Sequence, residues 1–187
     1  AKITLMNVLV VGAGYMAVEY YKVLKALDVQ PTVIGNSQAS ADTFYENTGV
    51  SPLLGGLDKH IDSLSGNTFD AVIVASPEHL IGLHSQTLME KGFHKILVEK
   101  PGGFDLDDIS AVHKASQATQ SDVFVAYNRR FFASTLAAKK LIAEDGDLQS
   151  FRFEFSEWGH VISGLEKAPG VKDQWFLNNS THLIDLS

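Results

Sequence analysis

The sequence predicts an α/β protein, a doubly wound parallel sheet followed by the beginning of a second domain, and three observations carry the prediction of the sheet. Continuous apolar runs of strand length recur at Asn7-Val-Leu-Val-Val11, Asp70-Ala-Val-Ile-Val-Ala75 and Lys95-Ile-Leu-Val-Glu99; strands buried on both faces of a parallel sheet read this way. Segments of helical periodicity alternate with these runs up to about residue 127, the pattern of a parallel sheet built from βαβ units. A glycine-bearing turn, Gly12-x-Gly14-x-x-Ala17, joins the first run to the first helical segment.

Each element follows from local chemistry. Met16, Tyr20, Leu24 and Leu27 form one apolar stripe, predicting a helix from Tyr15 to Leu27. Thr32-Val-Ile-Gly35 is a short second strand, since Pro31 is tolerated at a strand's start and Asn36-Ser37 supply turn chemistry after it. A weaker helix spans Ala39 to Asn47, and Gly49 to Gly56 is a stretch punctuated by Gly and Pro. His79 to Lys91 and Asp105 to Gln120 are helical, the latter with acids in its first turn, and Val123-Phe-Val-Ala-Tyr127 is the last strand. Residues 1–127 are therefore assigned to the first domain and 128–187 to the incomplete start of a second.

In the second part a helix is expected from Ser134 to Glu144, then a strand at Phe151-Arg-Phe-Glu-Phe-Ser156, whose strict alternation places Phe151, Phe153 and Phe155 on one face. A further helix begins at Thr181. No second strand strong enough to complete a sheet follows, so the chain is expected to be a fragment. If the protein did end at Ser187, the phenylalanine face would need a partner chain to cover it.

Composition excludes several classes. The chain has 187 residues, 45% of them hydrophobic and 20% charged, which excludes disorder. Zero Cys removes disulfides, thiolate nucleophiles and Cys-based zinc sites, and a reducing compartment, the cytoplasm, is the expected setting. A net charge of −7 without a basic stripe argues against nucleic acid. No apolar run approaches the roughly 20 residues a membrane span needs, so no membrane partner is expected. His60, His94, His113 and His160 lack metal-ligand spacing, and no metal is assigned. A Gly-x-Ser-x-Gly hydrolase turn is absent as well.

Between a strand and a helix, Gly12-x-Gly14-x-x-Ala17 has the context in which this motif binds a dinucleotide. Gly12 permits the tight turn and Gly14 lets backbone approach a pyrophosphate. Ala17 allows the helix to pack with its N-terminus facing the anion. Tyr15 and Met16, inside the turn, are counted with the cofactor site. The acid that reads a ribose 2′-hydroxyl about 20 residues later is missing, replaced by Gly35-Asn36-Ser37-Gln38. Nothing there repels a 2′-phosphate, and Asn36, Ser37 and Gln38 can donate to one. The expected cofactor is NADP or NAD, with NADP favoured. An S-adenosylmethionine methyltransferase, the rival for such a turn, usually needs the same missing acid.

Val74-Ala-Ser-Pro77, Gly92, Val98-Glu-Lys-Pro-Gly102, Tyr127-Asn-Arg-Arg-Phe131, Gly146-Asp-Leu-Gln-Ser150 and His182-Leu-Ile-Asp-Leu186 occur in this order. Together they resemble the Gfo/Idh/MocA oxidoreductase family, which includes inositol and glucose dehydrogenases. The resemblance covers residues 5–187. It implies a Rossmann domain followed by an α/β domain with a large open sheet, and a homo-oligomer for the complete protein. It also implies hydride transfer between the nicotinamide and a sugar, nucleotide-sugar or polyol carbon, with a small sugar or polyol as the substrate partner.

The resemblance further implies roles for single residues. Lys100, counted also with the cofactor site, faces the substrate hydroxyl near the nicotinamide and eases its proton loss. Glu99, Ser76 and Pro77 pack around the cofactor. The family's Asp-x-x-x-His pair is here Asn178-Asn-Ser-Thr-His182: His182 is retained as base, while Asn178 can fix its tautomer but cannot stabilise an imidazolium. A dinucleotide-sensing member without catalysis is the alternative this departure suggests. Ile81 stands where many members carry a histidine, and the flanking His79 and His84 are read as helix-surface or packing residues. Trp158 and Trp175 are read as core packing in preference to a sugar-stacking surface.

Overall fold

The structure, a computed structural model, describes residues 6–186. Six strands, β1 (Val8–Val11), β2 (Thr32–Gly35), β3 (Leu53–Leu54), β4 (Ala71–Val74), β5 (Lys95–Val98) and β6 (Asp122–Val125), form one sheet in the order β3-β2-β1-β4-β5-β6. Every pairing is parallel. The direction of winding reverses between β1 and β4, where Val11 is in register with Val74.

Alternation along the strands divides the core in two. Leu9, Val11, Ile34, Val72, Val74, Ile96 and Val98 point to one face. They pack there with Ile81, Leu88 and Met89 of α4 (Ile81–Glu90) and Val112 of α5 (Leu106–Thr119). Val8, Val10, Val33 and Ile73 point to the other face, against Ala17, Val18, Tyr21 and Leu24 of α1 (Tyr15–Ala26) and Phe44 of α2 (Gln38–Thr48). Each fully buried Val, Leu or Ile contributes about 1.5–3 kcal/mol relative to exposure. Double-sided burial therefore both stabilises the sheet and explains why β1, β4 and β5 read as unbroken apolar runs.

Three local features differ from expectation. The stretch after Gly49 contains β3 and a short helix, α3 (Gly56–His60). The expected helix from His79 opens as a 3₁₀ turn, Glu78–Leu80, and becomes α-helical only at Ile81. The expected strand over Phe151–Ser156 is not formed: among the described residues nothing pairs with this segment. Alternation makes a strand amphipathic, but only a hydrogen-bonded neighbour makes it a strand. Phe151 and Phe153 instead stack on each other, with centroids 6.0 Å apart.

The chain divides into two compact units between Ala126 and Tyr127. The second consists of a 3₁₀ turn (Asn128–Phe131), α6 (Ala133–Asp145), α7 (Gly159–Ser163), a π-helical turn (Phe176–Ser180) and α8 (Thr181–Ile184). No helix among the described residues is long and apolar enough to cross a membrane.

Candidate cofactor site and flanking residues

The turn after β1 is shaped by two glycines with different tasks. Gly12 has φ +123°, and a Cβ there would lie 2.2 Å from the Ala75 carbonyl oxygen. Both the backbone angle and the approach of the β4 end therefore demand glycine. Gly14 is the N-cap of α1 in extended conformation, with no side-chain cap, and a Cβ built on it meets nothing within 4 Å. An exposed, uncapped helix N-terminus beside open space is what a pyrophosphate needs: amide donors, the positive end of the helix dipole and room to approach. Ala17 is fully buried, closing α1 onto the sheet. Tyr15 is 77% exposed in the first turn, and Met16 is half-buried. These residues fit a dinucleotide.

At the carboxyl end of β2, Asn36, Ser37 and Gln38 are all exposed. Ser37 caps α2, its Oγ accepting from the Ser40 amide at 3.3 Å, and Gln38 Nε2 donates to Asp42 at 2.7 Å. Part of the hydrogen-bonding capacity assigned to these two residues is thus used locally.

The ends of β4 and β5 complete the same edge of the sheet. Ser76 is nearly buried, and its Oγ lies 2.7 Å from His84 Nδ1 and 3.3 Å from the Val11 carbonyl. Pro77 is exposed. The Glu99 amide donates to the Val74 carbonyl at 2.9 Å, and the Gly102 amide to the Glu99 carbonyl at 3.0 Å, so the Glu99-Lys100-Pro101 segment turns directly out of β5. The Lys100–Pro101 peptide is cis. Tyr20 of α1 donates its hydroxyl to the Glu99 carboxylate. Burial, reinforced by this hydrogen bond and the carboxylate charge, pushes the Tyr20 phenol above its ordinary range, so it stays a protonated donor. Glu99 is thereby anchored to the helix that starts at the glycine turn.

In the second unit, motifs 55 residues apart in sequence meet. Arg130 grips Asp185 through Nε, at 2.9 and 2.7 Å from its two oxygens, and through its Nη2. The Tyr127 ring meets the His182 ring edge-on at 5.7 Å. Asn178 is buried in the π-helical turn, and His182 is half-buried in α8. Glu157 accepts from Asn179 Nδ2 at 2.8 Å, from Trp175 Nε1 and from Ser180 Oγ at 3.2 Å. Led by the Asn179 bond, these donors hold its carboxyl below the ordinary glutamate value despite an opposing desolvation effect. Trp158, expected in the core, is 71% exposed, while Trp175 is half-buried. Both line a cavity of about 400 Å³ with Phe155, Ile162 and Asn179.

Comparison with known proteins fixes the class. The family model for Gfo/Idh/MocA, described as an oxidoreductase family with an NAD-binding Rossmann fold, matches residues 6–127. The chain belongs to this family. Its cofactor is NAD or NADP. Similar solved structures include the WlbA dehydrogenase from Chromobacterium violaceum in complex with NADH and UDP-GlcNAcA, with TM-score 0.65 and 22% identity over 78% of this chain and 41% of that one. The myo-inositol 2-dehydrogenase from Lactobacillus plantarum has TM-score 0.64 and 18% identity over 78% and 43%. Biliverdin reductase from Synechocystis sp. PCC 6803, in complex with biliverdin and NADP+, has TM-score 0.61 and 19% identity over 76% and 44%. The chain thus spans about two-fifths of the length of these structures. A search of the curated proteins finds no match.

Within the Gfo/Idh/MocA frame, two residues escaped the sequence reading. His84 is not a surface or packing residue: it is hydrogen-bonded to Ser76 at the cofactor edge. The signal available was its place three residues after Ile81, on the same helical face. Tyr20 was read only as part of an apolar stripe, and a phenol on such a stripe needs a partner for its hydroxyl when buried.

Proposed function

We propose that the protein is an NAD(P)-dependent oxidoreductase acting on a CH–OH group of a sugar, nucleotide-sugar or polyol. The observation that carries this reading is the position of Lys100: it leaves β5 at the same carboxyl edge as the glycine turn, in a segment anchored by the Tyr20–Glu99 bond. Ligands of doubly wound sheets lie at this edge, at the reversal of strand order. The bound nicotinamide supplies the hydride donor or acceptor at its C4. Lys100 orients the substrate oxygen and eases its proton loss, while His182 takes or returns the proton and Asn178 sets its tautomer. The UDP-GlcNAcA bound to the WlbA dehydrogenase and the activity named for the myo-inositol 2-dehydrogenase support a polyhydroxylated substrate. In this reading the first unit binds the cofactor, and the second begins the substrate and oligomerisation domain of a cytoplasmic homo-oligomer.

Calorimetric titration with NADPH and NADH, followed by turnover assays over a panel of sugars and polyols, tests the proposal. Lys100→Ala is expected to bind dinucleotide close to wild type and to lose turnover by about 10²–10⁴-fold, the range of general acid–base assistance. Unchanged turnover in that variant would remove Lys100 from the chemistry. A second reading, dinucleotide sensing without catalysis, is favoured by Asn178 alone. Asn178→Asp separates the two: an impaired enzyme gains rate, whereas a sensor remains inactive with every substrate.

A further inference from the structure

Ile81, at the start of α4, is buried in the core beneath the sheet and offers no polar atom. His84 lies one turn along on the same face of α4. Helical side chains lean toward the N-terminus, so an imidazole at this position reaches back over the 3₁₀ turn Glu78–Leu80 to the end of β4. There its Nδ1 is 2.7 Å from the Ser76 hydroxyl.

Ser76 is part of the wall of the crevice between β1 and β4. The Ala75 amide donates to the Val11 carbonyl at 2.8 Å, the Ala75 carbonyl fills the space a Gly12 side chain would need, and Ser76 Oγ is 3.3 Å from the Val11 oxygen. A serine hydroxyl has one hydrogen to give: Ser76 donates it to the Val11 carbonyl and therefore accepts from the imidazole Nδ1–H. Burial holds His84 below its ordinary value, against the opposing pull of Asp58 and with a smaller contribution from His79; this favours the neutral ring, whose one N–H, at Nδ1, serves Ser76.

We propose that His84 is a positioning residue for dinucleotide binding: through Ser76 it fastens the Ala75-Ser76-Pro77 wall against the glycine turn. Its contribution is preorganisation of the crevice rather than contact with the cofactor. The inference rests on the dinucleotide site described above.

The test is a double-mutant cycle on the full chain, read by NADPH and NADH fluorescence titration with far-UV circular dichroism as a check on folding. His84→Leu and Ser76→Ala are each expected to weaken binding by about 5- to 10-fold, the scale of one lost hydrogen bond. Because both remove the same bond, the double variant should bind no more weakly than the weaker single one. His84→Asn, whose amide nitrogen takes the place of Nδ1–H, should stay within about threefold of wild type, as expected for a retained neutral hydrogen bond. A merely structural role for the ring would not give that rescue. Wild-type affinity in His84→Leu, independent losses in the cycle, or an Asn variant as weak as the Leu variant overturns the proposal. If His84→Leu fails to fold, Ser76→Ala decides, and wild-type affinity there overturns it equally. A wild-type chain that binds neither dinucleotide would instead refute the cofactor site itself, before any variant is compared.

Discussion

The Tyr20–Glu99 contact joins the helix of the glycine turn to the segment carrying Lys100 through one hydroxyl and one carboxylate. A hydrogen bond to a charged group contributes about 1.5–3 kcal/mol. Tyr20→Phe keeps the ring and deletes the donor, so urea denaturation is expected to show a loss of that size; an unchanged midpoint would mean that water serves Glu99 equally well. The raised phenol value also fixes a sign. The folded state resists deprotonation, so its stability is intact below the phenol's ordinary 10 and falls as pH rises past it. Glu157 gives the opposite case. Its carboxyl sits below the ordinary 4.5, so the stability it contributes is present above that value and lost as pH falls through the lower folded value. The chain has two tryptophans, and in a Trp158→Phe background only Trp175, which donates to Glu157, reports. Its fluorescence should show an acid transition below pH 4.5 that vanishes in Glu157→Gln.

At the scale of elements, the glycine turn makes a prediction with two opposite halves. Gly12→Ala drives a methyl into the Ala75 carbonyl at a positive φ, and should destabilise the fold together with cofactor binding. Gly14→Val adds its side chain to open space at an ordinary φ, and should leave the melting temperature nearly unchanged while abolishing dinucleotide binding. A Gly14→Val protein that binds NADPH normally would show that the pyrophosphate does not lie at this helix end. The turn was legible because its requirements are backbone requirements, written in residue types at short range. The same holds for β1, β4 and β5, whose double-sided burial removes polar residues from whole runs. By contrast β3 has two residues, with Leu53 44% exposed, too little sequence to carry a period. Phe151-Arg-Phe-Glu-Phe carried the period without a partner strand. The His84–Ser76 bond depends on helix phase after a 3₁₀ turn, and the Arg130–Asp185 and Glu157–Trp175 contacts on how the chain returns upon itself. None of these leaves a periodic trace.

Over the whole molecule, burial is divided unequally. Every residue of the two core clusters, including those packed at their margins, lies between Val8 and Val125. Among the described residues from Tyr127 onward only Val171, Asn178, Ser180 and Thr181 are buried, three of them polar, while Phe151, Phe153, Trp158 and Phe176 are each more than half exposed. Apolar burial is the dominant favourable term in folding, and some 60 residues without it cannot offset the entropy of ordering the chain. A chain ending at Ala126 is therefore expected to unfold cooperatively on its own and to retain dinucleotide binding, whereas residues 127–187 alone should give a broad, non-cooperative melt. Linkage supplies the quantitative check. NADPH or NADH at 100 times its Kd should stabilise the shortened chain by about 2.7 kcal/mol, raising its melting temperature by about 10 °C at about 4 °C per kcal/mol for a chain of this size. Scanning calorimetry of the two pieces decides the matter: a sharp, ligand-independent transition in the shortened chain would place essential parts of the cofactor site beyond Ala126, and a cooperative transition in residues 127–187 would show that burial in this unit is greater in solution than its exposed phenylalanines imply.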